Sequence, residues 1–233
     1  MLRLKQLTSG YGPVPIVRDL SLDIKAREIT VILGRNGVGK TTLMKTIIGV
    51  LPTMQGSITF KNTDVTKWSA SRRARFGMGY VPQGRGIFPR LTVEENLLMG
   101  EFINIDSGGE RLYDKVYSIF PRLDERRRQK GGTLSGGEQQ MLAIGRALVG
   151  NPNLLILDEP SEGVQPSIVQ DMVPILKGLM EELGLTILVV EQNLDFAMSL
   201  ADRCYIMDRG TIVAELDKSE MTDSERVRRY LAI

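Results

Sequence analysis

The chain has 233 residues, 42% hydrophobic and 25% charged, with 30 Lys and Arg against 28 Asp and Glu. That length buries a sizeable core, and a net charge of +2 is too near balance for a nucleic-acid footprint, so no nucleic-acid partner is expected. The absence of histidine excludes Ser–His triads, imidazole metal sites and histidine general bases, and the single cysteine, Cys204, excludes an internal disulfide and a multi-cysteine zinc site.

Residues 2–7 and 21–24 read as short strands, with Gly10, Gly12, Pro13 and Pro15 as turn residues between them. Residues 28–33 form an apolar strand that feeds directly into a glycine-rich segment. A helix is predicted over 41–49, ended by Gly49 with Pro52 beyond, followed by strands at 57–60 and 79–81. From about Gly84 to Gly150 the pattern turns helical, with 93–101, 110–120 and 138–149 as candidates, and residues 106–109 read as a surface loop. Strands return at 154–157, 186–190, 204–207 and 211–215. Among them Ile168, Met172, Ile175, Leu176 and Leu179 share one helical face, where Pro174 is expected to kink or delay the helix. Cys204, inside a strand-like run, is expected to be a core residue. The basic run 122–130 reads as a solvated helix face.

Apolar strands joined by crossover helices imply an α/β fold with a mostly parallel sheet covered on both faces. The helical stretch 84–151 is expected as an inserted lobe, with 1–83 and 152–233 forming the core. The longest apolar runs, such as Ile187-Leu188-Val189-Val190, fall far short of the ~20 residues that span a bilayer. No apolar stretch of signal-peptide length follows the first residues. A cytoplasmic chain is expected, reaching a membrane only through a partner.

Three segments carry chemistry. Gly34-Arg35-Asn36-Gly37-Val38-Gly39-Lys40-Thr41 fits G-x-x-x-x-G-K-[ST]. Gly34 and Gly39 let the backbone wrap a polyphosphate and donate N–H groups to it. Lys40 supplies charge to the β- and γ-phosphates, the Thr41 hydroxyl is placed to ligate Mg²⁺, and Thr42 to reach the α-phosphate. In Leu154-Leu155-Ile156-Leu157-Asp158-Glu159, two carboxylates leave the end of a buried strand. Ligands gather at the carboxyl ends of parallel strands, so both acids are expected to face the glycine loop. Asp158 would hold the Mg²⁺ hydration shell, and Glu159 would orient or deprotonate an attacking water. Finally, Leu134-Ser135-Gly136-Gly137-Glu138-Gln139 sets a hydroxyl and two glycines before a helix, a second device for holding an anion.

On these segments the chain resembles the ATP-binding subunits of ABC transporters along nearly its full length. The resemblance implies a P-loop NTPase core with an N-terminal antiparallel β portion, ATP and Mg²⁺ as ligands, and a head-to-tail dimer. In that dimer Ser135, Gly136 and Gly137 of one subunit close over ATP held by residues 34–42 of the other. It further implies that Tyr11 stacks on adenine, that Gln83 senses Mg²⁺ and the γ-phosphate while hinging the helical lobe, and that 161–166 contacts the opposite subunit. It implies docking of membrane subunits against 84–88, although Ile87 and Phe88 equally suit packing inside the lobe.

One departure stands out. Gln192 takes the place of the family's γ-phosphate histidine; its amide can donate a hydrogen bond but cannot carry charge or shuttle a proton. Glu159, Gln192 and Lys40 are the expected catalytic residues. Gln192, together with the runs at 34–37, 81–88, 91–97, 162–163 and 190–193, resembles importers of branched-chain amino acids, urea and short amides. Such importers imply a second ATP-binding subunit, integral membrane permeases and a solute-binding protein, with this chain peripheral on the inner face of the membrane. Alternative readings are a weakly hydrolysing subunit paired with a more active chain, a non-transport ABC ATPase, and an unrelated P-loop kinase.

Overall fold

Two sheets stack in this molecule, as seen in a computed structural model that describes residues 1–101, 103 and 112–222. Strands β1 (Leu2–Tyr11) and β2 (Val14–Ile24) form a hairpin, and β3 (Ile29–Leu33) runs into helix α1 (Lys40–Ile47). Then come β4 (Thr53–Phe60), β5 (Thr63–Asp64), α2 (Ala70–Arg75) and β6 (Met78–Val81). Four helices follow: α3 (Val93–Glu101), α4 (Tyr113–Ile119), α5 (Pro121–Glu125) and α6 (Gly136–Val149). The chain continues through β7 (Leu154–Asp158), α7 (Pro166–Leu183), β8 (Thr186–Glu191), α8 (Leu194–Leu200), β9 (Arg203–Asp208) and β10 (Thr211–Asp217).

The first sheet, β2-β1-β4-β5, is antiparallel, and the second, β10-β9-β3-β8-β7-β6, is parallel except for the β9–β10 pair. Every residue of β3, β7 and β8 is buried, as expected of strands covered on both faces. Successive strand residues point to opposite faces. Val31, Leu33, Leu155, Leu157 and Val189 therefore pack with the helical residues Leu97, Leu142 and Leu176. Ile32, Ile156, Leu188 and Val190 pack with Leu43 of α1 and Ile58 of the antiparallel sheet. Each such side chain contributes about 1.5–3 kcal/mol. Cys204 lies in the first of these clusters, where burial pushes its thiol up to about 12.

Three expectations need correction. The N-terminal hairpin is longer than 2–7 and 21–24: Gly10 pairs with Pro15 and Tyr11 with Val14, leaving only Gly12 and Pro13 at the turn. Pro15 is tolerated because β2 is an edge strand, and Gly10 is required because a Cβ there would lie 2.0 Å from the Val14 carbonyl oxygen. Pro174 does not delay α7, which runs unbroken for 18 residues. The proline faces solvent, and so does Gln170, so the carbonyl it deprives can bond water. The helix's buried stripe is Val169, Met172, Leu176 and Leu179, with Ile168 and Ile175 at its margin.

The run 122–130 is not a plain solvated face. Helix α5 ends at Glu125, Arg126 Nε pairs with Glu138 Oε1 at 3.1 Å, and Arg127 pairs with Asp124 beneath the Tyr117 ring. The helix predicted over 110–120 is described only from Tyr113 onward, and the loop at 106–109 lies outside the described residues. Among the described residues, no helix is long and apolar enough to cross a membrane.

One buried cation fixes α1 from its far end. Arg73 donates to the carbonyls of Thr46 at 2.8 Å, Ile47 at 2.6 Å, Thr66 at 2.8 Å and Trp68 at 3.2 Å. It thereby satisfies the carbonyls that a helix C-terminus leaves open.

Candidate nucleotide site

Where β3 stops, Gly34 donates its N–H to the Glu191 carbonyl at 3.0 Å, and the chain turns into the loop before α1. A side chain at Gly34 would sit 2.6 Å from the Met207 carbonyl oxygen, and Gly39, the residue before α1, has φ +109°. Both positions therefore need glycine. Arg35, Asn36 and Gly37 are exposed, whereas the Val38 side chain is buried in the apolar cluster, so Val38 offers only its backbone to a ligand.

Lys40 and Thr42 are buried in the first turn of α1. The Lys40 ammonium donates to the carbonyls of Gly34 at 2.8 Å and Arg35 at 2.9 Å, and pairs with Glu159 Oε1 at 3.0 Å. Glu159 holds φ +50°, a left-handed backbone rare for a side-chain-bearing residue, and its N–H donates to the Val190 carbonyl at 2.9 Å. Beside it Asp158 accepts from the Thr41 hydroxyl at 3.1 Å and the Tyr80 hydroxyl at 3.0 Å. Burial raises the Asp158 carboxyl above the usual carboxylate range, opposed by those two hydroxyls and by Lys40 and reinforced by Glu159. Burial, and then Asp158, push the Tyr80 phenol up.

Gln83 reaches Glu159 and Glu162 from the segment after β6. Its amide donates to Glu162 Oε2 at 2.9 Å and lies 3.5 Å from Glu159 Oε2. Tyr11, Asn36, Lys40, Thr41, Gln83 and Glu159 line one cleft of about 380 Å³. Gly37, Gly39 and Thr42 line it too, and Asp158 joins the group through the Thr41 hydroxyl.

Ser135, Gly136 and Gly137 do not line that cleft. Ser135 caps α6 in a reciprocal box: its hydroxyl accepts from the Glu138 N–H at 3.3 Å, and Glu138 accepts from the Ser135 N–H at 2.9 Å. A Cβ at Gly136 would lie 3.0 Å from both Arg85 Nη2 and the Gly163 carbonyl, and one at Gly137 2.7 Å from Ile168. Both glycines therefore also permit close packing within this chain. Gln192 is exposed and does not line the cleft.

Residues 84–88 divide between partial burial and exposure. Ile87 is half-buried against the core, while Phe88 is 43% exposed with Arg146 5.1 Å above its ring. Buried Asn96 pins this loop by accepting from the Phe88 N–H and donating to the carbonyls of Phe88, Leu91 and Thr92.

Sequence reasoning missed Tyr80, whose hydroxyl donates to Asp158, and three more residues. Ile16 lines the cleft with Tyr11, and a Cβ at Gly39 would lie 3.2 Å from it; nothing in the local sequence signals it. Arg85, with φ +71°, donates to Gln139 Oε1 at 3.1 Å and to the Gly163 carbonyl at 2.9 Å, joining the start of α6 to the segment after Glu159. Glu191 is fully buried at the end of β8, and a carboxylate closing an otherwise apolar strand was the available signal.

Residues 17–162 match the ABC transporter family. The chain is 42% identical to the high-affinity branched-chain amino acid transport ATP-binding protein BraG of Pseudomonas aeruginosa, covering 98% of this chain and 97% of that protein. It is 35% identical to the probable branched-chain amino acid transport ATP-binding protein LivF of Archaeoglobus fulgidus, over 98% and 97%. It is 34% identical to the lipopolysaccharide export system ATP-binding protein LptB of Escherichia coli, over 98% and 95%. Among solved structures it is similar to MJ1267, an ATP-binding cassette of an ABC transporter, with a TM-score of 0.86, 30% identity, and coverage of 99% and 98%. The chain belongs to the ABC transporter family. Within that family it is a nucleotide-binding ATPase subunit, with the α/β cassette fold.

Proposed function

We propose that this subunit binds ATP with Mg²⁺ in the Tyr11–Lys40–Glu159 cleft and hydrolyses it to drive an importer of branched-chain amino acids, urea or short amides. The observation that carries the reading is the meeting of Lys40, Thr41, Asp158 and Glu159 around one glycine loop. Relatedness to BraG and LivF, both named for branched-chain amino acid transport, supports the solute class.

The loop backbone of residues 34–39 and the buried start of α1 supply N–H donors and positive potential for the phosphates. Lys40 is held by two carbonyls and Glu159; a γ-phosphate would take the carboxylate's place on the ammonium. Glu159, so released, accepts a proton from water as that oxygen bonds the γ-phosphorus and the β–γ bridging oxygen departs with ADP. Tyr11 would cover the adenine, and Gln83 would register the γ-phosphate.

The oxygen donors at Thr41 and Asp158 suit Mg²⁺, with Gln83 nearby. A divalent cage of several acids is not needed, because Mg²⁺ takes one or two protein ligands and fills the rest with water and phosphate. When bound, it would neutralise phosphate charge.

Ser135–Gly137 stand outside their own cleft, which fits their closing over ATP on a second subunit, the same chain or a homologue. Residues 84–151 act as a helical lobe on the core of 1–83 and 152–233. Residues 84–88, with exposed Phe88, suit docking of integral permeases at the cytoplasmic face, with a solute-binding protein completing the system. Gln192 favours one second reading: lacking a titrating ring, this subunit turns over slowly beside a faster mate.

The test is co-purification with the permeases encoded beside it and reconstitution into vesicles. Uptake of leucine, urea or acetamide that requires Mg·ATP and stops with Glu159→Gln supports the proposal. Efflux of a loaded substrate, or phosphate release indifferent to Glu159→Gln, overturns it.

A further inference from the structure

Four N–H groups from three loops converge on Glu191. Its backbone carbonyl accepts from Gly34 at 3.0 Å, at the start of the glycine loop. Its carboxylate accepts from Ser161 N–H at 2.9 Å through Oε1, and from Gln192 at 2.9 Å and Asn193 at 3.1 Å through Oε2. The residue is fully buried and, among the described residues, has no ion-pair partner. Burying an unpaired carboxylate is unfavourable, and here backbone donors compensate it.

Each oxygen serves a different loop. Oε1 holds the segment that begins two residues after Glu159, and Oε2 holds Gln192 and Asn193 at the start of α8. A carboxylate is rigid and planar and accepts at both oxygens, so the two loops are fixed relative to each other through one group. The larger groove between α7 and α8, about 560 Å³, has Ser161 and Asn193 among its lining residues, one from each held loop.

We infer that Glu191 is a positioning residue for ATP turnover. It clamps the loop after Glu159 to the loop carrying Gln192, so the two backbone segments keep one relative position during turnover. The same clamp passes a change at Gln192 to residues 161–166. This rests on the reading that nucleotide is held at residues 34–42.

Glu191→Gln tests it. An amide offers one acceptor and one donor, and the donor must face a backbone N–H, so one loop is released. The expected result with Mg·ATP is an unchanged KM and a kcat lowered at least about tenfold. In hydrogen exchange, a non-hydrolysable ATP analogue should still protect 34–42 but no longer alter 160–166. A kcat within about twofold of wild type, or a loss confined to KM, overturns the clamp. Should the variant not fold, amide exchange in the nucleotide-free wild-type chain decides: Ser161, Gln192 and Asn193 should exchange slowly and at a common rate. A Ser161 amide exchanging as freely as exposed loop amides overturns it. Failure of the wild-type chain to bind ATP would instead overturn the nucleotide reading, with that exchange result still judging the clamp.

Discussion

Lys40 and Glu159 are paired at 3.0 Å, with side chains only 2% and 5% exposed. The residue expected to grip the γ-phosphate and the residue expected to activate water therefore neutralise one another when no phosphate lies between them. A triphosphate must compete with a carboxylate for the same ammonium, and success frees the carboxylate beside the reacting phosphorus.

Glu159→Gln should lower steady phosphate release by about 10²–10⁴, the range that general base catalysis supplies. ATP affinity should hold or rise, since the amide removes a negative competitor for Lys40. Equilibrium binding and radiolabelled phosphate release measure the two arms, and retained turnover would remove Glu159 from the chemistry.

Asp158→Asn should raise the melting temperature near neutral pH and abolish turnover. Burial holds the Asp158 proton more tightly in the folded than in the unfolded chain. Its contribution to stability is therefore complete below the ordinary carboxylate range and lost as pH rises through the raised value. Asparagine has no such titration, and the Thr41 and Tyr80 hydroxyls can reorient around the amide. The gap between variant and wild type should narrow on acidification, as melting curves across pH 4–8, spanning the usual stability optimum, would measure.

Ser135→Arg should leave ATP binding to the single subunit intact and suppress turnover, because Ser135 stands away from its own cleft. Ser135→Ala separates folding from closure. Loss of the cap should cost about 0.5–2 kcal/mol in denaturant unfolding. A large fall in single-subunit affinity would count against a shared site.

Arg85→Ala removes the link from Gln139 to the Gly163 carbonyl. Loss of two such bonds at a partly exposed site predicts about 1–2 kcal/mol lower stability. Turnover should fall while nucleotide affinity stays. Equal loss in both would place Arg85 in binding instead.

Gln192→His should leave phosphate release unchanged or faster, with a new inflection in its pH profile near the imidazole's usual ~6.5. Complete loss would mean that the amide itself is required.

Much of the site was legible because its parts are local. The glycine loop is one segment, and β3, β7 and β8 announce themselves as apolar runs because both faces are covered. Helix α3 was legible to its bounds. The short helices α2 and α8, of six and seven residues, gave too little periodicity to read. Arg85 and Glu191 stayed hidden for another reason. Their partners lie 78 and 30 residues away along the chain, at Gly163 and Ser161, and only the packed fold brings them together. The phosphate-holding role read into Gly136 and Gly137 also had a competitor invisible in sequence, since their neighbours Arg85, Gly163 and Ile168 would crowd a side chain.

Arg73 grips the carboxyl end of α1 while the opposite tip carries Lys40. A rod anchored at its heel neither slides nor unravels when a highly charged guest tugs its toe. Any adjustment to nucleotide capture is then expected in the loops flanking that tip rather than in the helix itself.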